Sequence, residues 1–144
     1  MNIQKYCASQ IGSVINIWEL ATEVGHPFLS KEFLHSEKKN IPDVYIPNGN
    51  VWVVIIDNNV VGFSILHGNE VGALFVLPEF HGRGVGYALM NKAHEMHNKL
   101  KVEVFKENAV GTKFYARYGF NLVREYFHKE SEMVMLCLEH TKDS

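Results

Sequence analysis

The feature that most constrains this chain is a glycine-rich loop, Pro78-Glu79-Phe80-His81-Gly82-Arg83-Gly84-Val85-Gly86, between an apolar strand and a helix. The apolar run Val71 to Leu77 precedes the loop, and apolar residues recur at helical spacing from Gly84 to about His97. Glycines at such a junction let the backbone approach a ligand closely with its N–H groups pointing outward. Because a helix N-terminus favours anions and Arg83 adds a positive charge, the loop predicts a phosphate or pyrophosphate site.

Two better-known phosphate-binding loops do not fit this segment. No Gly-Lys-Ser/Thr follows the glycines, as a P-loop requires, and a dinucleotide fingerprint that starts at Gly82 would need glycine where Tyr87 stands. The position of the loop in the middle of the chain also argues against the opening of a Rossmann domain. A purely structural turn is less favoured, because three alternating glycines are more than a tight turn needs.

Composition sets the other limits. The chain has 144 residues, which fits a single domain over residues 1–144. A formal charge of −2 gives no general basic field, so no nucleic-acid partner is expected. Cys7 and Cys137 lie near opposite ends without metal-ligand spacing, which is typical of a reducing compartment. With no signal-like N-terminus and no apolar run near the roughly 20 residues that span a bilayer, we expect a cytoplasmic protein with no membrane partner.

The remaining pattern alternates strands and helices. The strands are predicted at Ile3 to Tyr6, Val51 to Ile56, Val60 to Leu66, Val71 to Leu77, Lys101 to Phe105, Leu122 to Phe127 and Met133 to Leu138. The helices are predicted after Ser9, from Ser30 to about Lys39 before a loop punctuated by Pro42 and Pro47, from Gly84 to about His97, and from Ala109 to Tyr118 before Gly119. This order predicts an α/β fold, a mixed sheet with helices on both faces.

A second motif lies one strand beyond the glycine loop: Asn108, then a helix that contains Phe114-Tyr115, then Gly119-Phe120. Together the two motifs resemble the GCN5-related N-acetyltransferase (GNAT) superfamily, and within it small bacterial acetyltransferases. The acetyl-CoA motif of that superfamily is Gln or Arg, two residues, Gly, one residue, then Gly or Ala. Here His81 stands at the first position, and Gly84 and Gly86 stand at the other two.

The resemblance implies acetyl-CoA as acyl donor and a mostly antiparallel sheet that splays between its fourth and fifth strands. The pantetheine arm would lie in that gap, against the main chain of the fourth strand, whose N–H groups would lie near the thioester oxygen. The pyrophosphate would lie on the loop, and the Asn108 side chain would bind the lower part of the cofactor. The implied cofactor-binding residues are Leu74, Phe75, Val76, His81, Gly82, Arg83, Gly84, Val85, Gly86, Tyr87, Asn108, Phe114 and Tyr115.

Tyr115 is the candidate proton donor for the leaving thiolate. With a phenol pKa of about 10 against about 8.5 for a thiol, the transfer is uphill by only about 2 kcal/mol. Phe114 falls in the apolar stripe Val110, Phe114 and Tyr118, and Tyr115 lies about 100° away around the helix. That offset favours a functional role for Tyr115 over a place in the core.

Glu70 is the first candidate for the general base, because its separation from the loop resembles that of the catalytic glutamate in GCN5-like members. Glu103, His67, His26 or a water chain remain open as alternatives. Acceptor-binding candidates are His26 and Phe28, in the segment Gly25-His26-Pro27-Phe28, and Trp52. The run His94-Glu95-Met96-His97 lacks HExxH spacing, so we expect a solvated helix face and no metal.

These features predict an N-acetyltransferase that acts on a primary amine by direct attack in a ternary complex, as a monomer or homodimer. A protein lysine, a protein N-terminus and a small amine remain open as acceptors. One alternative is a catalytically silent acyl-CoA-binding or sensing module, which would keep Gly84 and Gly86 but not need Tyr115. A toxin-type acyltransferase acting on aminoacyl-tRNA is disfavoured by the net charge.

Overall fold

Residues 1–142 are described by the computed structural model, in which a seven-stranded sheet forms the centre. The strands are β1 (Asn2–Lys5), β2 (Asn50–Ile56), β3 (Asn59–His67), β4 (Glu70–Val76), β5 (Lys99–Phe105), β6 (Asn121–His128) and β7 (Met133–Thr141). Their order is β1-β2-β3-β4-β5-β7-β6. Every neighbouring pair is antiparallel except β4 and β5, which are parallel.

Helices pack on both faces of the sheet, as the sequence predicts. They are α1 (Ile11–Gly25), α2 (Lys31–Asn40), α3 (Val85–Met96) and α4 (Ala109–Tyr118). The buried face of α1 packs Val14 and Ile17 against Phe63 on one side of the sheet. On the other side, Leu89 of α3 and Tyr115 of α4 pack in the clusters that cover β2 to β5 and β7. The burial of these apolar side chains is the main stabilising contribution on each face.

The sheet divides between β4 and β5. The two strands pair only at their first residues, where Glu70 is opposite Lys101 and Val71 is opposite Val102. Beyond this point β4 continues along β3 to Val76, and β5 continues along β7 to its end. An additional residue in β4 breaks the register beside Ile65, and such a bulge bends a strand locally. The expected splay between the fourth and fifth strands is therefore confirmed.

Local structure differs from the sequence prediction at the start of α1 and directly after α2. Ser9 does not cap α1, because it lies inside a 3₁₀ turn, Ala8–Gln10, with its hydroxyl 3.3 Å from the Cys7 thiol. The segment expected to be a loop before Pro47 contains a π-helical turn, Ile41–Tyr45, that continues directly from α2. The caps at Ser30, whose hydroxyl accepts from the Phe33 N–H, and at Gly119, with φ of 115°, are as predicted.

His94 is buried rather than on a solvated helix face. Its side chain joins α3 to β7, with Nδ1 3.0 Å from the His97 carbonyl oxygen and Nε2 2.8 Å from His140 Nδ1. A carbonyl oxygen only accepts, so Nδ1 of His94 carries the proton and Nε2 accepts from His140. Met96, expected in the core stripe of α3, is exposed instead. The helix is thus rotated so that a histidine faces the sheet.

Within residues 1–142, no helix combines the length and the apolar character that crossing a bilayer requires.

Acidification is expected to destabilise the fold through His94. Burial lowers the pKa of its imidazole, so the unfolded chain takes up a proton more readily than the folded one. The free energy of unfolding should fall as the pH drops below about 6.5, the ordinary histidine value, towards the folded pKa. At pH 7.5 the free energy of unfolding of His94→Phe should be about 1 kcal/mol below that of wild type, because the hydrogen bonds of His94 are missing. Between pH 7.5 and 5.5 it should change less than that of wild type.

Urea unfolding of wild type and His94→Phe at several pH values measures this difference in slope. His35→Phe is the matched control, because His35 is exposed on α2. Parallel pH curves for wild type and His94→Phe would contradict the assignment.

Candidate active site at the split in the sheet

A cleft of about 920 Å³ occupies the split between β4 and β5. Its walls come from the C-terminus of α1, from α2, from the two strands, from the glycine loop and from α4. The structure brings nearly all of the predicted site residues together along this cleft. They are His26, Glu70, Leu74, Phe75, Val76, His81, Gly82, Gly84, Val85, Gly86, Tyr87, Asn108, Phe114 and Tyr115.

The unpaired edge of β4 provides backbone hydrogen-bonding groups to the cleft. Leu77 N–H donates to the Val61 carbonyl at 2.9 Å, so the backbone groups of Leu77 point towards β3. The N–H and C=O groups of successive residues point to alternate sides of an antiparallel strand. The N–H and C=O of Leu74 and Val76 therefore point towards the cleft, and those of Phe75 point towards β3. The Val76 carbonyl lies 3.0 Å from His81 Nε2. Of the three residues expected to offer main-chain groups, Phe75 therefore offers its ring instead.

Two glycines of the loop serve different purposes. Gly84 precedes α3 with φ of 82°, a left-handed conformation that side-chain-bearing residues rarely adopt. Gly86, in the first turn of α3, allows α4 to approach, because a Cβ there would lie 2.8 Å from the Phe114 ring. Gly84 thus leaves the N-terminus of α3 accessible, and Gly86 lets α4 pack closely against α3.

Arg83 does not line the cleft, and its assignment as a cofactor ligand stays a prediction. Its guanidinium lies over the Phe80 ring, 5.0 Å from the ring centroid. Positive charge reaches this end of the cleft from α4 instead, through Lys113 and Arg117. These two residues are one helical turn apart and share a face of α4. Their i, i+4 spacing was visible in the sequence, but the direction of that face was not.

Tyr115 is the buried residue of α4 and is only 7% exposed. This reverses the expected orientation of the helix, since Val110 of the predicted core stripe is 42% exposed. The stripe packs sideways against α3, where Phe114 and Tyr118 contact Tyr87. Tyr115 itself packs in the core cluster with Val71 of β4 and Val102 of β5 and lines the cleft, and burial raises its pKa above the ordinary phenol value. The phenol is therefore protonated at physiological pH.

Two carboxylates lie in the cleft on β4 and β5, Glu70 and Glu103. Glu103 is already engaged, because the Cys137 thiol lies 3.7 Å from its Oε1. Burial and a hydrogen bond to Glu103 raise the pKa of Tyr126 to about 12. His67 is not brought to the cleft; its Nδ1 lies 3.2 Å from the Asn48 carbonyl oxygen. Of the four candidate bases, Glu70, Glu103 and His26 therefore line the cleft, and His67 does not.

His26 and Asn108 meet where the C-terminus of α1 approaches the N-terminus of α4. Asn108 Oδ1 accepts the Gly111 N–H at 2.9 Å and caps α4, and Asn108 Nδ2 lies 3.2 Å from His26 Nε2. Burial lowers the pKa of His26 to about 4, so its ring is neutral at physiological pH. The close approach also involves Gly25, where a Cβ would lie 3.2 Å from Asn108 Oδ1.

Phe28 and Trp52 do not line the cleft as the acceptor-site prediction requires. Phe28 lies behind the wall, with its ring 5.8 Å from His26 and 5.7 Å from Phe105. Trp52 belongs to the opposite face of the sheet, where Lys92 of α3 lies 4.6 Å from the ring centroid. A strand alternates its side chains between two faces, and the sequence does not say which face covers the cleft.

A group of aromatic and acidic cleft residues, contributed largely by α2, was not predicted from the sequence. Phe33 lies 6.3 Å from Phe105 and 6.1 Å from His128. Glu37, one turn further along α2, accepts a hydrogen bond of 2.7 Å from the Tyr45 hydroxyl. All of these residues line the cleft. Within residues 1–142, no group of three or more His, Cys, Asp or Glu side chains is placed to hold a metal ion.

Comparison with known proteins agrees with this geometry. Residues 47–122 match the acetyltransferase (GNAT) domain family, and the chain belongs to that family. It is 31% identical over 126 residues to the peptidyl-lysine N-acetyltransferase YiaC of Escherichia coli K12, covering 87% of this chain and 86% of YiaC. The chain is thus an N-acetyltransferase with the mixed α/β fold of the GNAT superfamily.

Solved structures agree with the fold over almost the whole chain. The solution structure of apo-form YjaB from Escherichia coli aligns with a TM-score of 0.87 at 25% identity, over 99% of this chain and 98% of YjaB. The PaiA N-acetyltransferase of Thermoplasma acidophilum, solved in complex with coenzyme A, aligns with a TM-score of 0.74 at 18% identity. That alignment covers 97% of this chain and 98% of PaiA.

Gly25→Ala should separate α1 from α4. The new methyl group would lie too close to Asn108 Oδ1, and Asn108 cannot move away without losing its hydrogen bond that caps α4. We therefore expect the free energy of unfolding to fall by about 1 kcal/mol. Gly12→Ala is the matched control in the same helix, because a Cβ there meets no atom within 4 Å and should stabilise α1 by up to about 1 kcal/mol. Chemical unfolding measures both, and equal stability of the two variants would contradict the close approach.

Proposed function

We propose that this N-acetyltransferase moves the acetyl group of acetyl-CoA to the side-chain amine of a protein lysine, by direct attack in a ternary complex. The observation that carries the proposal is the split in the sheet, where unpaired backbone of β4 and the Tyr115 phenol line the same cleft. The peptidyl-lysine acetyltransferase names of YiaC and YjaB support the acceptor class. The PaiA complex with coenzyme A supports the donor for this fold.

The residues at one end of the cleft fit the donor. The backbone groups of Leu74 and the N–H of Val76 can pair with the amides of an extended pantetheine arm as an added strand would, whereas the Val76 carbonyl already accepts from His81. The N-terminus of α3, with Lys113 and Arg117 near it on α4, suits the phosphates. When bound, acetyl-CoA supplies the activated acetyl group as a thioester. The N–H groups of β4 can then stabilise negative charge that develops on the thioester oxygen.

The other part of the cleft fits an aliphatic ammonium. The carboxylates of Glu37, Glu70 and Glu103 attract a positively charged group, and the rings of Phe33 and Phe105 offer apolar and cation–π contacts to the stem and head of a lysine. Cations on α4 and carboxylates on α2, β4 and β5 therefore give the cleft two electrostatically distinct ends. This polarity distinguishes the donor from the acceptor.

In this reaction the acceptor nitrogen loses two protons and the leaving thiolate gains one, and the cleft offers Glu70 and Tyr115 for these transfers. The acceptor ammonium loses a proton, for which we propose Glu70, directly or through water, since Glu103 is engaged with Cys137. The amine nitrogen then forms the bond to the acetyl carbon as the carbon–sulfur bond breaks. Tyr115 gives its proton to the leaving thiolate, and the second proton that the nitrogen loses as the amide forms returns the phenol to its protonated form, directly or through water. Burial raises the pKa of Tyr115, but a thiolate in the same dry space also binds a proton more strongly, so donor and acceptor stay matched.

Tyr115→Phe should lower kcat by about 10²-fold or more, the usual contribution of a general acid, while coenzyme A binding changes little. Thiol release with lysine peptides and small amines measures kcat, and calorimetry measures binding. Tyr118→Phe is the matched control on the same helix, because the Tyr118 hydroxyl donates to Asn91 Oδ1 at 2.7 Å on α3, outside the cleft. Full activity in Tyr115→Phe would exclude the phenol as the acid. Release only with small amines would contradict the lysine assignment.

Glu70→Gln should lower kcat/KM about tenfold at pH 7, and the deficit should shrink towards pH 9. The reason is that a free lysine amine has a pKa of about 10.4, so at higher pH more of it is neutral without help from a base. Initial rates across this pH range, with Glu79→Gln as a control outside the cleft, measure the effect. A constant deficit at all pH values would assign Glu70 to acceptor binding instead.

A further inference from the structure

The two ends of the Asn108 amide are chemically distinct in this fold. The Gly111 backbone N–H can only donate, so the Asn108 atom that it contacts at 2.9 Å is the oxygen Oδ1. The other end is therefore the amino group Nδ2, which lies 3.2 Å from His26 Nε2. Asn108 is 8% exposed, so neither contact is exchanged freely for water.

This orientation fixes the tautomer of His26. An amino group has no lone pair to offer, so His26 Nε2 must accept and the single proton of the neutral ring must be on Nδ1. The ring is held from other directions by edge contacts to Phe75 and Phe105, with centroids 6.2 and 5.4 Å away. A nitrogen whose lone pair already accepts a hydrogen bond is poorly placed to take a proton from an amine.

The same contact ties together the two helices that frame the cleft. The His26 backbone N–H donates to the Thr22 carbonyl at 2.8 Å and closes α1, and Asn108 caps the first turn of α4. Tyr115 lies seven residues after Asn108, two helical turns along α4. A shift of the first turn of α4 therefore moves the phenol relative to β4. Geometry at a reacting centre is sensitive to displacements of this kind.

We propose that His26 is a positioning residue, held by Asn108 as the Nδ1–H tautomer, that sets the place of α4 and so of Tyr115. The inference rests on the proposed acetyl transfer for its kinetic consequence. It assigns the base role to groups other than His26. It also gives Asn108 a structural task in addition to its predicted cofactor contact, for which the second Nδ2 hydrogen remains available.

Nitrogen-15 NMR of histidine-labelled protein tests the tautomer without any turnover. His26, assigned by its loss in His26→Gln, should show a protonated Nδ1 and an unprotonated Nε2 in wild type. Asn108→Asp keeps an oxygen for the α4 cap but removes the donor, so Nε2 should become protonated in that variant. A wild-type spectrum with the proton on Nε2 would overturn the proposal.

Two substitutions of His26 separate positioning from proton transfer. The side-chain amide of His26→Gln can place its oxygen near the former Nε2 and accept from Asn108, whereas His26→Leu cannot; neither is a base. We expect kcat to fall about tenfold in His26→Leu but to stay within about twofold of wild type in His26→Gln. The KM for the acceptor should change little in either variant. Thermal unfolding confirms that both variants are folded.

Equal loss of kcat in folded Gln and Leu variants would overturn the proposal and favour His26 as the base. Wild-type protein that transfers acetyl to no amine would contradict the proposed function. The NMR spectra would still show whether His26 is held as inferred, so the two failures are distinguishable.

Discussion

The site depends on one interruption of hydrogen bonding, the parting of β4 from β5 after two residue pairs. A central sheet normally satisfies the backbone groups on both sides of each strand, and leaving them unpaired in a buried place is costly. Here the cost is limited because each strand keeps its other neighbour, β3 for β4 and β7 for β5. The split therefore supplies a free strand edge, fixed on one side, without the mobility of an isolated strand.

Helix α4 closes one side of that split, and its position has several independent causes. Asn108 caps its first turn and contacts α1, Phe114 packs against Gly86 of α3, and the Tyr118 hydroxyl is bonded to Asn91. Tyr115 lies between these anchors and makes edge contacts to Phe114 and Phe120 at 5.3 Å. Because the anchors come from different elements, the phenol is held by the packing of the whole helix.

The parts of the site that sequence reasoning located are those encoded locally. The glycine loop, the Ser30 cap and the succession of strands and helices along the chain depend on residues close together in sequence, where spacing has a direct structural meaning. The orientation of elements is not local. The stripe of α4 was identified, but its direction was wrong, since periodicity defines a face without saying what covers it. Trp52 was misplaced for the same reason on a strand.

The acceptor end was the least predictable part, because it is assembled from α2, β5 and β6 across long sequence separations. Phe33 and His128 are 95 positions apart by their numbers and still lie 6.1 Å from one another. No spacing rule links such residues. Glu37 is likewise unremarkable in sequence, and only the cleft that it shares with Glu103 gives the two carboxylates a common electrostatic effect.

Burial leaves His26 and Tyr115, two of the titratable rings that line the cleft, in complementary neutral forms. It lowers the pKa of His26 to about 4 and raises that of Tyr115, so one ring lacks a second proton and the other keeps its only one. Neither ring then carries a charge that would repel or trap a substrate. The carboxylates of Glu37, Glu70 and Glu103 remain as acidic groups at the proposed acceptor end, and those of Glu70 and Glu103 are exposed. In the proposed reaction, a proton from the ammonium would therefore reach solvent through an exposed carboxylate, and the buried phenol would keep its proton for the leaving group.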